Sequence, residues 1–177
     1  MNNIRRGLNI VFTGDGKGKT TAAIGLALRA AGQRLNVLII QFMKGQSNIG
    51  ELKALDQCHL PIEIKRFGRP GFVQSRACEP LDIYLANEGL KCFRSAVLNS
   101  HYELVVLDEI FVAIDFGLLK SNELNRILKI KPPDLHVVLT GRSAPSNIIN
   151  TADIVTEMKE IYHPFSLGMK AQAGIEF

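Results

Sequence analysis

The sequence predicts an α/β fold, a mostly parallel sheet of about six strands with helices on both faces, built as one domain over residues 1–177. Three observations predict it. Apolar runs rich in β-branched residues recur along the chain, helical patterns separate most of them, and the first run leads through a glycine-rich turn into an amphipathic stretch. Strands that alternate with helices imply right-handed crossovers, a sheet covered on both faces, and a ligand site at the carboxyl ends of the strands.

In chain order, the first strand pattern runs from Gly7 to Thr13. The helix from Lys19 to Ala31 carries Ala, Ile and Leu at helical spacing and stops at Gly32, a residue suited to a left-handed cap. Strand patterns follow at Asn36 to Phe42 and Ile62 to Phe67. A helix begins near Pro80, where Pro fits the first turn, and ends near Leu98. The run Leu104 to Leu107 gives a fourth strand. Ser121 to Ile130 gives a helix that Pro132-Pro133 terminates, and His136 to Thr140 and Ile154 to Met158 supply the last two strands. The tail after Ile161 reads as an ordered loop, and no internal repeat, low-complexity segment or linker interrupts the pattern.

Composition restricts the function classes. Apolar residues make up 46% of the chain, yet no run approaches the roughly 20 consecutive apolar residues of a membrane span. Residues Met1 to Arg6 lack the apolar core of a signal peptide, so the expected location is the cytoplasm. Cys58, Cys78 and Cys92 have neither C-x-x-C spacing nor a clustered His, which argues against zinc and a disulfide framework and for reduced, semi-buried thiols. The net charge of +4 suits an anionic ligand but is too diffuse for a nucleic-acid tract.

The chemistry is concentrated in Thr13-Gly14-Asp15-Gly16-Lys17-Gly18-Lys19-Thr20, between the first strand and the first helix. Glycines let successive backbone N–H groups converge on phosphate oxygens, and the helix directs its positive dipole end at the same place. This is the phosphate loop of a P-loop NTPase-like fold. Lys19 would add charge near the terminal phosphates and the Thr20 hydroxyl would hold Mg²⁺. Thr13 stands where the first Gly of the usual pattern would be.

A second signal is Leu104-Val105-Val106-Leu107-Asp108-Glu109, an apolar strand ending in two carboxylates that can serve a metal shell and orient a second ligand. Asp115, shortly beyond, reads as a surface carboxylate. The run His136 to Arg142 ends in an Arg at the same sheet edge, which either completes an anion clamp with Lys19 or pairs with an acid such as Asp153. Arg29 on the first helix either reaches a phosphate or is a surface charge.

Taken together, these motifs resemble the P-loop type ATP:corrinoid adenosyltransferases. The resemblance is carried by Gly14 to Ala23, Arg29-Ala30-Ala31-Gly32, Gln41-Phe42-Met43-Lys44-Gly45, Val105 to Glu109, Leu139 to Arg142, Ala152 to Met158, and the ending Gly168 to Glu176. It spans nearly the whole chain from Gly7. The resemblance implies transfer of the 5′-deoxyadenosyl group of ATP to the cobalt of a reduced corrinoid, with release of triphosphate. It further implies nucleotide contacts from Gly14, Asp15, Gly16, Lys17, Gly18, Lys19, Thr20, Thr21 and Arg29, catalytic roles for Lys19, Glu109 and Arg142, and a Mg²⁺ site of Thr20, Glu109 and Asp108, with Mn²⁺ as an alternative ion. A homodimer, a flavodoxin or reduced flavin as electron donor, and no nucleic-acid or membrane partner complete the expectation.

On the corrinoid side, the family places an aromatic pair after the third strand. Phe72 fits the first member, whereas Gln74 stands where the pattern can have Trp, and the chain contains no Trp. His163 matches a family His, and Phe72 and His163 are therefore the corrinoid-side candidates, each with a plain packing role as the alternative. Only six residues precede the first strand, whereas longer relatives carry an N-terminal segment that covers the corrinoid in a dimer, so the corrinoid site is expected to be more open or to be covered by another part of the partner subunit. A P-loop small-molecule kinase or NTP hydrolase would use the same loop and acids, and an ATP-sensing module would bind without turnover.

Overall fold

Residues 6–45, 50–69, 78–99, 101–164 and 168–175 are described by the computed structural model. The chain order is β1 (Asn9–Thr13), α1 (Lys19–Gly32), β2 (Val37–Phe42), α2 (Gly50–Gln57), β3 (Ile62–Phe67), α3 (Pro80–Asn99), β4 (Leu104–Asp108), α4 (Ile110–Asp115), α5 (Ser121–Lys129), β5 (His136–Thr140), α6 (Ser146–Ile149) and β6 (Ile154–Glu157). All strands lie in one sheet of order β3-β2-β4-β5-β1-β6, and every pairing is parallel. The α/β expectation with six parallel strands therefore holds. Among the described residues, no helix is long and apolar enough to cross a membrane.

The period of two along each strand divides the apolar side chains between two cores. Leu38, Ile40 and Phe42 of β2, Val105 and Leu107 of β4, and Val137 and Leu139 of β5 face α3, α4 and α5. Val37, Ile39, Val106 and Val138 face the other way, onto α1 and Leu55 of α2. Helix α1 meets the sheet through the buried stripe Ala23, Ala27 and Ala31, whose spacing of four keeps small side chains on one face and brings the helix axis close.

Three short helices, α2, α4 and α6, are additions to the expected pattern. The cap of α1 is a correction. The helix runs through Gly32, and Arg34 is the left-handed residue at φ 62°. Leu35 N–H bonds Ala30 O and Arg34 N–H bonds Ala31 O, so the chain closes a Schellman turn with its left-handed residue two positions beyond Gly32. Cys78 and Cys92 are half-buried free thiols, while Cys58 is exposed, contrary to the semi-buried expectation.

Candidate phosphate-binding site at the carboxyl edge of the sheet

The loop between β1 and α1 is held by its neighbours' backbones. Gly14 has φ 95°, and a Cβ there would lie 2.4 Å from Met158 O. Gly16 donates its N–H to that same carbonyl at 2.7 Å, and a Cβ on it would lie 2.7 Å from Met158 O and from Lys159 C. Only glycine permits this approach of loop to strand end. Thr13 is accounted for as well. Its hydroxyl donates to Arg142 O at 3.0 Å and accepts from Ala144 N–H at 3.0 Å, tying the end of β1 to the segment after β5. Lys19, 8% exposed, donates from Nζ to Gly14 O at 2.5 Å and Gly16 O at 2.6 Å, folding across the cradle.

Strand β5 separates β1 from β4, and its last residue bridges the gap. Thr140 donates to Asp108 Oδ1 at 2.8 Å and accepts from Glu109 N–H at 2.9 Å. Thr20 also donates to Asp108 Oδ1 at 2.8 Å, which joins the phosphate loop to the acid strand. Gln41 Nε2 at 3.2 Å and Lys44 Nζ at 2.7 Å donate to the other oxygen, Oδ2. Asp108 is 1% exposed, and these four donors are what make a charge there tolerable.

Glu109 differs from its neighbour. It adopts a left-handed backbone at φ 62°, the N-cap of α4, and its carboxyl is held above the usual carboxylate range by burial and by Asp108, against the pull of Lys44, Lys19 and Arg142. Burial lowers Lys19, helped by Arg142 and opposed by Glu109, Asp15 and Glu160. For Lys44, Asp108 and Glu109 outweigh burial and raise the ammonium. Lys19, Lys44, Glu109 and Arg142 thus share one electrostatic neighbourhood, able to receive a polyanion.

The alternative partner for Arg142 is ruled out by direction. Asp153 sits at the amino end of β6, where it accepts from Asn9 N–H and Arg6 Nη2, each at 2.8 Å, whereas Arg142 follows the carboxyl end of β5. Arg29 is not brought to the cradle. It is exposed in the last turn of α1, ten residues or about 15 Å along the helix axis from Lys19. Asp15, Lys17 and Thr21 are exposed on the loop and first turn, His163 is half-buried after β6, and Asp115 is an exposed residue ending α4. Phe72 and Gln74 lie outside the described residues.

Sequence reasoning assigned no role to Gln41, Lys44 or Thr140. Gln41 carried a usable signal, a polar side chain inside the fully buried strand VLIIQF. Two clefts of about 470 and 410 Å³ flank α3, one against β3 and one against α5, and neither is lined by a phosphate-loop residue.

A parallel sheet, a glycine loop feeding α1 and paired acids at the same sheet edge define a P-loop NTPase-like α/β protein. Within that class the chain matches the model of the ATP:corrinoid adenosyltransferase family BtuR/CobO/CobP over residues 5–177, and it belongs to that family. It is 36% identical over 174 residues to a corrinoid adenosyltransferase of Sinorhizobium sp., covering 97% of this chain and 81% of that one. It is 34% identical to the corrinoid adenosyltransferase of Escherichia coli K12 and 35% identical to corrinoid adenosyltransferase CobA of Salmonella typhimurium LT2. Each of these two matches covers 97% of this chain and 86% of the relative.

Proposed function

We propose that the protein, as a single nucleotide-binding domain, transfers the 5′-deoxyadenosyl group of ATP to the cobalt of a reduced corrinoid and releases triphosphate. The observation that carries this reading is the family match over residues 5–177, supported by the bonds that join Thr20, Lys44 and Thr140 to Asp108. Cobalt(I) of the substrate corrinoid supplies the electron pair for the new cobalt–carbon bond. The carbon–oxygen bond at the ribose 5′ carbon breaks, and its electron pair leaves on the triphosphate. The attacker carries no proton, so no side-chain base is required.

The protein's task is to hold the leaving group. In this reading the loop amides of Gly14, Asp15, Gly16, Lys17 and Gly18, with Lys19, Thr20 and Thr21, bind the phosphates. Lys19 and Arg142 stabilise the charge that develops on them. Thr20, Asp108 and Glu109 would hold Mg²⁺ or Mn²⁺, which supplies charge neutralisation on the phosphate oxygens when bound. The donor set fits a cation, because the Lys44 ammonium already sits 2.7 Å from Asp108 Oδ2 and 3.4 Å from Thr20 Oγ1. Glu109 orients the nucleotide. Phe72 and His163 belong to the corrinoid side, in a cytoplasmic homodimer that a flavodoxin or reduced flavin serves as electron donor.

The test is incubation with MgATP and chemically reduced cobalamin. A light-sensitive cobalt–carbon product and one triphosphate per corrinoid are expected, whereas ADP or single phosphate as the primary product would replace this reading with a kinase or hydrolase.

A further inference from the structure

The candidate phosphate site contains a cation of its own, the Lys44 ammonium. Asp108 is buried among β2, β4, β5 and the loop, and a carboxylate there without a counter-charge would be costly. Its ion-pair partner is Lys44, whose side chain is 24% exposed at the mouth of the site. The backbone is set for this contact. Met43, the residue between β2 and Lys44, is left-handed at φ 59°, a conformation that costs a non-glycine side chain about 1 kcal/mol or more. Its N–H is pinned to Phe67 O at 3.0 Å, so the turn is fixed by the sheet edge. Glu109 shows the same left-handed break at the end of the adjacent strand β4, and the two breaks bring Lys44 within the field of both carboxylates. Beneath them Gln41 Oε1 is buried with no hydrogen-bond partner, a polar atom left over when Gln41 Nε2 was committed to Asp108.

We propose that the Lys44 ammonium is the resident cation of the nucleotide-free protein, held between Asp108 Oδ2 and Thr20 Oγ1. It moves to the triphosphate when a divalent ion takes its place, so that metal and nucleotide are admitted together. This rests on the reading that the site binds ATP with a divalent ion. A divalent ion at Asp108 would repel the ammonium held 2.7 Å from Oδ2, so its binding favours displacement of Lys44. The displaced Lys44 needs a new anion, and a phosphate chain seated at Thr20 is within the reach of its flexible four-carbon stem. Without nucleotide the exchange has no destination for Lys44, and the divalent ion alone should bind poorly. Lys44 is thus a positioning and gating residue that acts on Asp108.

The experiment titrates Mn²⁺, detected by its paramagnetic resonance signal, into the nucleotide-free protein and into the protein with ATP. Lys44→Met should bind Mn²⁺ alone about tenfold or more tightly than the parent. Lys44→Arg, which keeps the charge, should stay at the parent's weak affinity. In the parent, ATP should raise Mn²⁺ affinity far more than it does in Lys44→Met. Should the Met variant fail to fold, Lys44→Gln is read in the same way, since it also removes the charge. Mn²⁺ affinity of the neutral variant within about twofold of the parent overturns the proposal. These measurements use no corrinoid, so failure of adenosyl transfer would remove the proposed function and leave the Mn²⁺ result to be judged alone.

Discussion

At the centre of the sheet β4 buries all five of its residues, while at the edges β6 buries none of its four and β3 fully buries none of its six. The candidate phosphate site leans on both kinds of strand. Its charged groups come from the ends of central strands, where apolar packing fixes Asp108 and Thr140 to within hydrogen-bonding distance. Its loop is steadied by the edge strand β6, which uses backbone bonds, Met158 N–H to Thr13 O at 2.8 Å and Gly16 N–H to Met158 O at 2.7 Å. The centre therefore supplies chemistry that side-chain changes destroy, and the edges supply support that single side-chain changes barely weaken.

The largest effect expected at the centre is on stability. Asp108→Ala leaves the Lys44 ammonium and the donors of Thr20, Thr140 and Gln41 without their acceptor, at a cost of about 3 kcal/mol, or a fall in Tm of about 6 to 12 °C. Calorimetry checks it. A shift under about 2 °C would show that the network is not what holds the centre.

Next in size is Lys19→Ala, which should lower adenosyl transfer by roughly 100-fold, the loss of about 2.7 kcal/mol of transition-state contact. Its Nζ bonds only loop carbonyls in the described structure, so Tm should stay near the parent's. Rate and melting curve measured on the same preparation separate the two; activity within a few-fold of the parent would remove Lys19 from the phosphate site.

The same contrast explains what the sequence could and could not reveal. Central strands are continuous apolar runs such as Leu104-Val105-Val106-Leu107, and they were legible with their ends correct to within about two residues. Helix α4 was not, because Ile110-Phe111-Val112-Ala113-Ile114 follows the strand with the same apolar character and only the left-handed Glu109 breaks the direction. Helices α2 and α6 are short and lack a long apolar period, α2 beginning at Gly50. Within the site, the loop and acids were legible as local motifs. The links from Lys44 and Gln41 to Asp108 were not, because they cross from β2 to β4 and depend on strand neighbours that local patterns do not specify.

At the β6 edge, Asp153→Ala removes the acceptor of Asn9 N–H and of Arg6 in a partly exposed setting. The expected cost is about 1 kcal/mol, seen as a fall in Tm of about 2 to 4 °C with adenosyl transfer unchanged within about twofold. A loss of activity comparable to that of Lys19→Ala would mean that the amino end of β6 governs the loop at its other end, and the division between centre and edge would fail.

The smallest effect belongs to the β3 edge, where the Tyr102 hydroxyl donates to the Glu63 carboxylate. Glu63 is about half exposed, so solvent screens the contact and Tyr102→Phe should cost only about 0.5 to 1 kcal/mol. The pH dependence identifies the pair. The Tyr102 hydrogen bond, followed by Lys65, holds Glu63 below its usual carboxylate range. Its stabilisation is therefore present above the ordinary Glu pKa and is lost as pH falls through the depressed value. Burial, followed by the bond to Glu63, pushes the Tyr102 hydroxyl up to about 12 from 10.0, so the folded state holds that proton more tightly than the unfolded chain. The resulting stability is complete below the ordinary tyrosine pKa and is lost as pH rises through the shifted one. Urea melts of the parent and Tyr102→Phe should thus differ by a constant amount near neutral pH and converge at both extremes. A difference that persists at both extremes would assign the effect to packing of the ring rather than to the hydroxyl, and a cost approaching that of Asp108→Ala would place this edge among the supports of the core.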